Sequence, residues 1–337
     1  MSLNHQKQYN RELRDWLLKV FEYTAYISTQ DLVKRVCPIC GSENSRFFAN
    51  NDYLDYEQCQ FCSLVYMNPT MKAGTVNEGF KGDDELLMEY FSIIKKYKTE
   101  LPEKPDPWVD NKLLDIYRLK PQGKLLDVGC SVGDFLHKAQ YFYQVEGVEV
   151  NPKTSAIAAQ YFQVHRNYLS ELGLPAVYDI VTLHQILYGV PDPVGLFKDI
   201  HKILKADGIL YVNTPNADSY AVQLYKGKVN HLYGYTTQNL LNRKSLEVLA
   251  HLTGFKLKTF RTEWIDIYMS DLMEYLDRPD QFIHKRNCNV RNYEENVSAQ
   301  DNLQCNNRLD QRLGNRGNYL VAVLEKVEKW HEKDSVF

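Results

Sequence analysis

The sequence predicts a doubly wound α/β domain, preceded by an N-terminal helix and a small cysteine-rich module. Three observations predict it. From Gly123 onward, short apolar runs alternate with helical patterns of about ten residues, which implies βαβ units around a mostly parallel sheet. The first of these runs ends in a turn of small residues, Gly129-Cys130-Ser131-Val132-Gly133, and a helix pattern follows at once. Ahead of it, residues 35–68 hold two CxxC pairs and few helix signals, which sets them apart from both flanks.

The elements follow in order. Residues 4–28 read as an amphipathic helix with Leu13, Trp16, Leu17, Val20, Tyr23 and Ile27 on one stripe. Acidic and basic residues mix on its polar side, so docking on a core is expected rather than membrane contact. The expected organisation is a helical segment over 1–35, the cysteine module over 36–68, a helical linker or lid over 69–120 and the α/β domain over 121–337. Residues 84–99 and 108–119 read as helices, separated by the proline-rich Leu101–Pro107. The strand KLLDVG, a helix from near Gly133, the strand VEGVEV, a helix from Pro152 and a short strand near Val164 come next. They are followed by the strand YDIVTL, a helix over 194–205 and the strand GILYVNTP. Residues 216–244 and 266–315 interrupt the alternation, and the Asn-rich stretch 286–315 reads equally as a loop or an exposed helical insertion. A last strand is expected near Tyr319–Val327. Right-handed connections would place a ligand at the carboxyl ends of the parallel strands.

Composition narrows the class. Of 337 residues, 44% are hydrophobic and 25% charged, and the net charge is −3, which gives no general attraction to phosphate backbones. No run of about 18 apolar residues is present to span a membrane, and the N-terminus lacks the apolar core of a signal peptide. Seven cysteines, four of them in two CxxC pairs, fit reduced thiols and metal binding better than a disulfide framework, so a cytosolic protein is expected.

The pairs are Cys37-Pro-Ile-Cys40 and Cys59-Gln-Phe-Cys62, with 18 residues between Cys40 and Cys59. Each turn presents two sulfurs to one ion, and two such turns complete the tetrahedral shell that zinc prefers. Gly41 permits the left-handed backbone that often follows such a knuckle. Four protein ligands leave no open position, so a structural zinc ribbon is expected, not a catalytic metal. Cys130, Cys288 and Cys305 have no partner spacing.

The turn after the first strand of the α/β part reads Asp127-Val128-Gly129-Cys130-Ser131-Val132-Gly133-Asp134. A dinucleotide would require glycines at Gly129, Ser131 and Asp134, and Asp127 and Asp134 would set negative charge where a pyrophosphate must lie. That charge suits a ligand with an ammonium group and a sulfonium centre, as in S-adenosylmethionine. Glu149 follows Gly129 by twenty residues at the end of the next strand, the expected place for a carboxylate that accepts from ribose hydroxyls.

The segments LLDVGCSVGDFL, GVEVNP, YDIVTL…PDP and GILYVNTPN together resemble the class I methyltransferases, in the branch that carries an N-terminal zinc ribbon. The resemblance spans roughly residues 36–260. It implies a Rossmann-like sheet with a final antiparallel strand, S-adenosylmethionine as cofactor, and sugars, lipids or small metabolites as acceptors. By the same resemblance Asp127, Gly129, Ser131 and Gly133, with Cys130 among them, line the methionine portion, and Glu149 with Val150 meets the ribose. Asn167-Tyr168-Leu169 would border adenine, and His184 and Gln185 would face cofactor and acceptor. Relatives often place a Glu-His pair before the PDP turn; here Tyr188 and Gly189 stand there, so the usual base is missing. His231, His184 and Tyr188 are the candidate replacements, with Tyr233 trailing.

Three function classes remain open on this reading. The first is a methyltransferase acting on a small molecule, a glycan or a lipid-linked acceptor. An RNA methyltransferase gripping its substrate with the ribbon would need clustered basic residues, yet Gly41–Tyr66 holds Arg46 alone against Glu43, Asp52, Asp55 and Glu57. The third is a catalytically inactive binding protein of the same fold, which only the missing Glu-His pair supports.

Overall fold

The computed structural model describes residues 3–30, 32–83, 85–98, 107–232, 235–263 and 316–327. Helix α1 (Leu3–Ile27) precedes three short strands, β1 (Ser45–Asn50), β2 (Asp55–Cys59) and β3 (Val65–Met67). Helices α2 (Ala73–Glu78), α3 (Glu85–Lys98) and α4 (Pro107–Leu119) lead into the alternating part. That part runs β4 (Lys124–Val128), α5 (Asp134–Ala139), β5 (Gln144–Val148), α6 (Pro152–Ala158), β6 (Gln163–His165) and α7 (Leu169–Leu172). It continues through β7 (Tyr178–His184), α8 (Pro193–Ile203) and β8 (Leu204–Pro215). Helix α9 (Tyr220–Tyr225), β9 (Asn239–Leu240), α10 (Arg243–Leu252), β10 (Phe255–Glu263) and β11 (Tyr319–Lys326) complete the described chain.

Local chemistry starts several of these helices. Asn151 accepts from the amides of Lys153 and Thr154 at the head of α6, with Pro152 in the first turn. Asp192 does the same for α8 through the Gly195 amide at 2.9 Å, again with a proline in the first turn. Helix α8 ends at Ile203, two residues short of expectation, because Leu204 already pairs with Tyr178 in the sheet.

The central sheet has the order β10-β11-β8-β7-β4-β5-β6. Strands β8, β7, β4, β5 and β6 are parallel. The antiparallel final strand is present, but β11 inserts between β8 and β10 instead of closing the edge. The sequence reading assigns no element to residues 245–263, which hold most of α10 and all of β10. Helix α10 begins with a reciprocal cap of Asn242 and Ser245, an atypical pairing, and a register shift between Leu257 and Thr259 breaks the alternation of β10. The expected 266–315 insertion, with its Asn-rich part, lies wholly outside the described residues.

Helices α4, α5 and α6 cover one face of the sheet, burying Val109, Leu113, Ile116, Phe135, Leu136 and Ala158 against Leu125, Ile180 and Tyr211. Helices α8 and α10 cover the other, and the cysteine module packs into that same core through Ile39, Leu64 and Tyr66. A second core joins Trp16, Val20 and Ile27 of α1 to Ile93 of α3, to Tyr56, Val65 and Met67, and to Val222 and Leu232. The 216–244 segment is therefore structured: its β9 pairs antiparallel with β3 and completes a four-stranded sheet, β1-β2-β3-β9. No described helix is long and apolar enough to cross a membrane.

Candidate cofactor site and cysteine cluster

Strand β4 delivers the chain into a turn where Gly129, Ser131 and Gly133 all take positive φ, at 80°, 51° and 92°. A Cβ on Gly129 would lie 2.5 Å from Cγ2 of Ile186, so glycine is demanded by the fold of the turn and by its neighbour after β7. The amides of Gly129 and Cys130 donate to the Val148 carbonyl at 2.7 and 3.0 Å. The Cys130 thiol fills the space above Gly147, so this residue serves the site through its backbone.

Glu149 locks the turn from the next strand. Its Oε2 accepts from the Ser131 amide at 2.9 Å and its Oε1 from the Asn151 amide at 2.8 Å. Burial pushes its carboxyl pKa up, and those amide hydrogen bonds pull it back. Each oxygen retains a further lone pair, so the group can accept from a diol while holding the turn. Val150, half-buried, follows it. Tyr168 donates to the Asn77 carbonyl at 2.6 Å, Leu169 is buried beside it, and the Lys81 ammonium lies 4.9 Å from the Tyr168 ring centroid.

On the α4–α5 face, the carboxyl ends of the strands carry a polar inlay in an apolar layer. Asp127 accepts from the Thr182 hydroxyl at 2.7 Å, and burial pushes its pKa up to about 7. Lys112, 1% exposed on the stripe of α4 formed by Val109, Leu113 and Ile116, opposes that rise with its positive charge. His184 shares this face with Thr182. Its ring lies 4.3 Å from Phe135 and 5.5 Å from Tyr211, and neither ring nitrogen has a hydrogen-bond partner among the described residues. Burial first, and Lys112 second, hold its pKa well below the ordinary value, so the imidazole is neutral near pH 7. Lys112 is the residue the sequence reading missed; its signal is a lysine on the apolar stripe of an amphipathic helix.

Beyond β7, Gln185 takes a left-handed φ of 58° and ties back to Asn213, its amide donating to the Asn213 carbonyl at 2.8 Å. Tyr188 lies in the single turn Leu187–Gly189, where burial pushes its phenol up to about 12. The His231 ring meets Tyr319 edge-on at 4.9 Å, where the start of β11 pairs with the carboxyl end of β8. Tyr233 lies outside the described residues. Thus the structure gathers Asp127, Gly129, Ser131, Gly133, Glu149, His184 and Gln185 at the carboxyl ends of β4, β5 and β7, and sets His231 beside the carboxyl end of β8.

The four cysteines converge independently. Their sulfurs all lie within 4.8 Å of one another, with Cys37–Cys62 and Cys40–Cys59 at 3.5 Å. A tetrahedral ion with bonds of about 2.3 Å needs sulfurs about 3.8 Å apart, so the cluster fits such an ion closely. Gly41 and Ser63, each just after a knuckle, both adopt positive φ, at 69° and 65°.

A twisted sheet with a glycine turn after its first parallel strand and a buried carboxylate after the second defines an α/β nucleoside-cofactor domain. Residues 97–260 match the family model described as a methyltransferase domain, so this part of the chain carries a methyltransferase domain. It is 28% identical over 109 residues to a protein of Pseudomonas aeruginosa named ubiquinone biosynthesis O-methyltransferase, covering 29% of this chain and 47% of that one. A counterpart of the same name in Pseudomonas syringae is 29% identical over 110 residues, again covering 29% and 47%. The chain thus spans about half the length of these curated relatives. Among solved structures, a Burkholderia thailandensis 1,6-didemethyltoxoflavin-N1-methyltransferase superposes with a TM-score of 0.49 at 12% identity, over 84% of this chain and 99% of that one. A methyltransferase from Archaeoglobus fulgidus gives 0.45 at 16% identity, over 70% and 99%.

Proposed function

We propose that this protein transfers a methyl group from S-adenosylmethionine to a small-molecule acceptor. The observation that carries this reading is Glu149, a buried carboxylate that braces the glycine turn and presents acceptor lone pairs at the expected ribose position. The cofactor supplies a methyl group activated by a positively charged sulfur. Asp127 would face its ammonium group, the backbone of Gly129–Gly133 its methionine portion, and Tyr168 and Leu169 its adenine. The acceptor's lone pair forms the new bond to the methyl carbon while the carbon–sulfur bond breaks. The acceptor's proton would pass to a base or to water. The chain's task is alignment and proton removal.

The curated relatives' names supply an oxygen acceptor, and this favours an O-methyltransferase over N- or C-transfer. His184, neutral and packed between Phe135 and Tyr211, suits a cofactor contact better than an acceptor base. Tyr188 and His231 are the remaining acceptor-side candidates. For the cysteine cluster we propose a structural Zn2+ ion held by Cys37, Cys40, Cys59 and Cys62, within a module spanning about 36–68 and followed by a lid over 69–120. Calorimetric titration with S-adenosylhomocysteine, with NADH as control, tests the cofactor. Binding of the first alone is expected; binding of NADH alone would overturn the reading.

A further inference from the structure

A cavity of about 220 Å³ lies beneath α1, α2 and the head of α3, walled by Tyr23, Ile27, Val76, Phe80, Leu87 and Tyr235. Three contacts place it against the proposed cofactor site. Phe80 is at once a wall of the cavity and the cover of Gly189, whose added Cβ would lie 3.4 Å from the Phe80 ring and 3.6 Å from the carbonyl of Thr236, another wall residue. The Phe80 carbonyl accepts from the Asn151 side chain at 3.4 Å, next to Glu149. At the rim, Asn77 receives the Tyr168 hydroxyl, and the wall residue Glu78 bears electrostatically on that same phenol. The cavity therefore borders the turn after β7 and the strand ends that hold the cofactor-binding set.

Its chemistry is that of a small apolar guest. Aliphatic and aromatic side chains form most of the walls; of the polar lining residues, Thr75 and Glu78 are exposed and Thr236 is half-buried. An apolar cavity of about 150 Å³ holds a benzene ring, so this one accommodates a single ring with a few substituents. A glycan would leave most of its hydroxyls without partners against such walls.

Resting on the methyltransferase reading, we infer that this cavity is the acceptor pocket and that it takes an uncharged, single-ring, predominantly apolar molecule, a phenol class rather than a sugar. The test uses the full chain saturated with S-adenosylhomocysteine, titrated calorimetrically with catechol and, separately, with methyl β-D-glucoside. Two cavity-filling variants, Val76→Phe and Leu87→Trp, follow the same protocol. Catechol is expected to bind the wild type and the glucoside is not. In at least one filled variant, catechol affinity should fall tenfold or more while S-adenosylhomocysteine affinity stays within threefold. Glucoside binding without catechol binding, no catechol binding to the loaded wild type, or unchanged catechol affinity in the filled variants would each overturn the inference. Loss of S-adenosylhomocysteine binding in both variants would place the cavity in the cofactor cradle and overturn it too. Failure of the wild type to bind S-adenosylhomocysteine would instead overturn the parent reading.

Discussion

Asp127 combines a buried carboxylate, the Thr182 hydroxyl that donates to it and the positive charge of Lys112, so at the proposed ammonium site it should make cofactor binding depend on pH. In the free protein its pKa near 7 leaves it largely protonated at pH 6. A ligand ammonium favours the ionised form, so binding releases a proton and affinity rises as the pH passes the free-state value. The expected gain in S-adenosylhomocysteine affinity between pH 6 and pH 8 is about tenfold, read by calorimetry. A flat profile would remove Asp127 from the ammonium site. Lys112→Met deletes the charge that helps Asp127 ionise, so the midpoint of that profile should move upward, by about one pH unit. A lysine that only fills space would leave the midpoint where it was. Glu149→Ala removes two buried amide contacts together with the proposed acceptor for the ribose, and S-adenosylhomocysteine should bind at least about 30-fold more weakly. Equal affinity would sink the ribose assignment.

At the scale of elements, β9 is the joint of the molecule. It pairs with β3 through Leu240 and Asn239, while the neighbouring Gln238 amide donates to the Tyr188 carbonyl at 2.8 Å and Asn239 Nδ2 to the Val190 carbonyl at 2.6 Å. Arg35 reinforces this joint, donating to the carbonyls of Met67 at 3.1 Å and Gln238 at 2.7 Å. A second joint is tighter still: an added Cβ on Gly227, in the short turn Lys226–Lys228, would fall 1.7 Å from the Asn50 carbonyl oxygen at the end of β1. Backbone cannot yield to that overlap as a flexible side chain would. Gly227→Ala should therefore destabilise the protein by about 1–3 kcal/mol in chemical denaturation. An unchanged midpoint would mean the turn lifts freely off β1. Neither joint was legible in the sequence, where 216–244 read only as an interruption. A two-residue strand has no period to detect, and its partner lies more than 170 positions away.

Across the whole molecule, the cysteine cluster and the proposed cofactor site connect through one chain of contacts. The knuckle at Cys59–Cys62 leads into β3, β3 into β9, and β9 into the turn bearing Tyr188. The module also buries Ile39, Leu64 and Tyr66 in the same core as β4 and β7, so it is part of the catalytic body's packing and not a tethered appendage. Binding free energy at a structural zinc site is folding free energy. Stripping the metal with a chelator should lower the melting temperature by roughly 10 °C or more and weaken S-adenosylhomocysteine binding in parallel. Melting that is indifferent to the chelator would show that the cluster holds together without an ion.

Much of this architecture is local in origin, and so the sequence by itself determined it. The βαβ alternation follows from hydrophobic period, and the turn at Gly129–Gly133 from small residues that tolerate positive φ. The CxxC knuckles follow from short spacing, and the place of Glu149 from its distance along the chain. Each needs only neighbours within a few tens of residues. The tertiary structure alone decided what depends on side chains brought together from distant segments. It set Lys112 beside Asp127 and His184, packed His231 against Tyr319, placed β11 inside the sheet, and formed a cavity between α1, α2 and the segment before β9. Periodicity records which face of an element is apolar; it does not record which other face will meet it, and packing settles that choice.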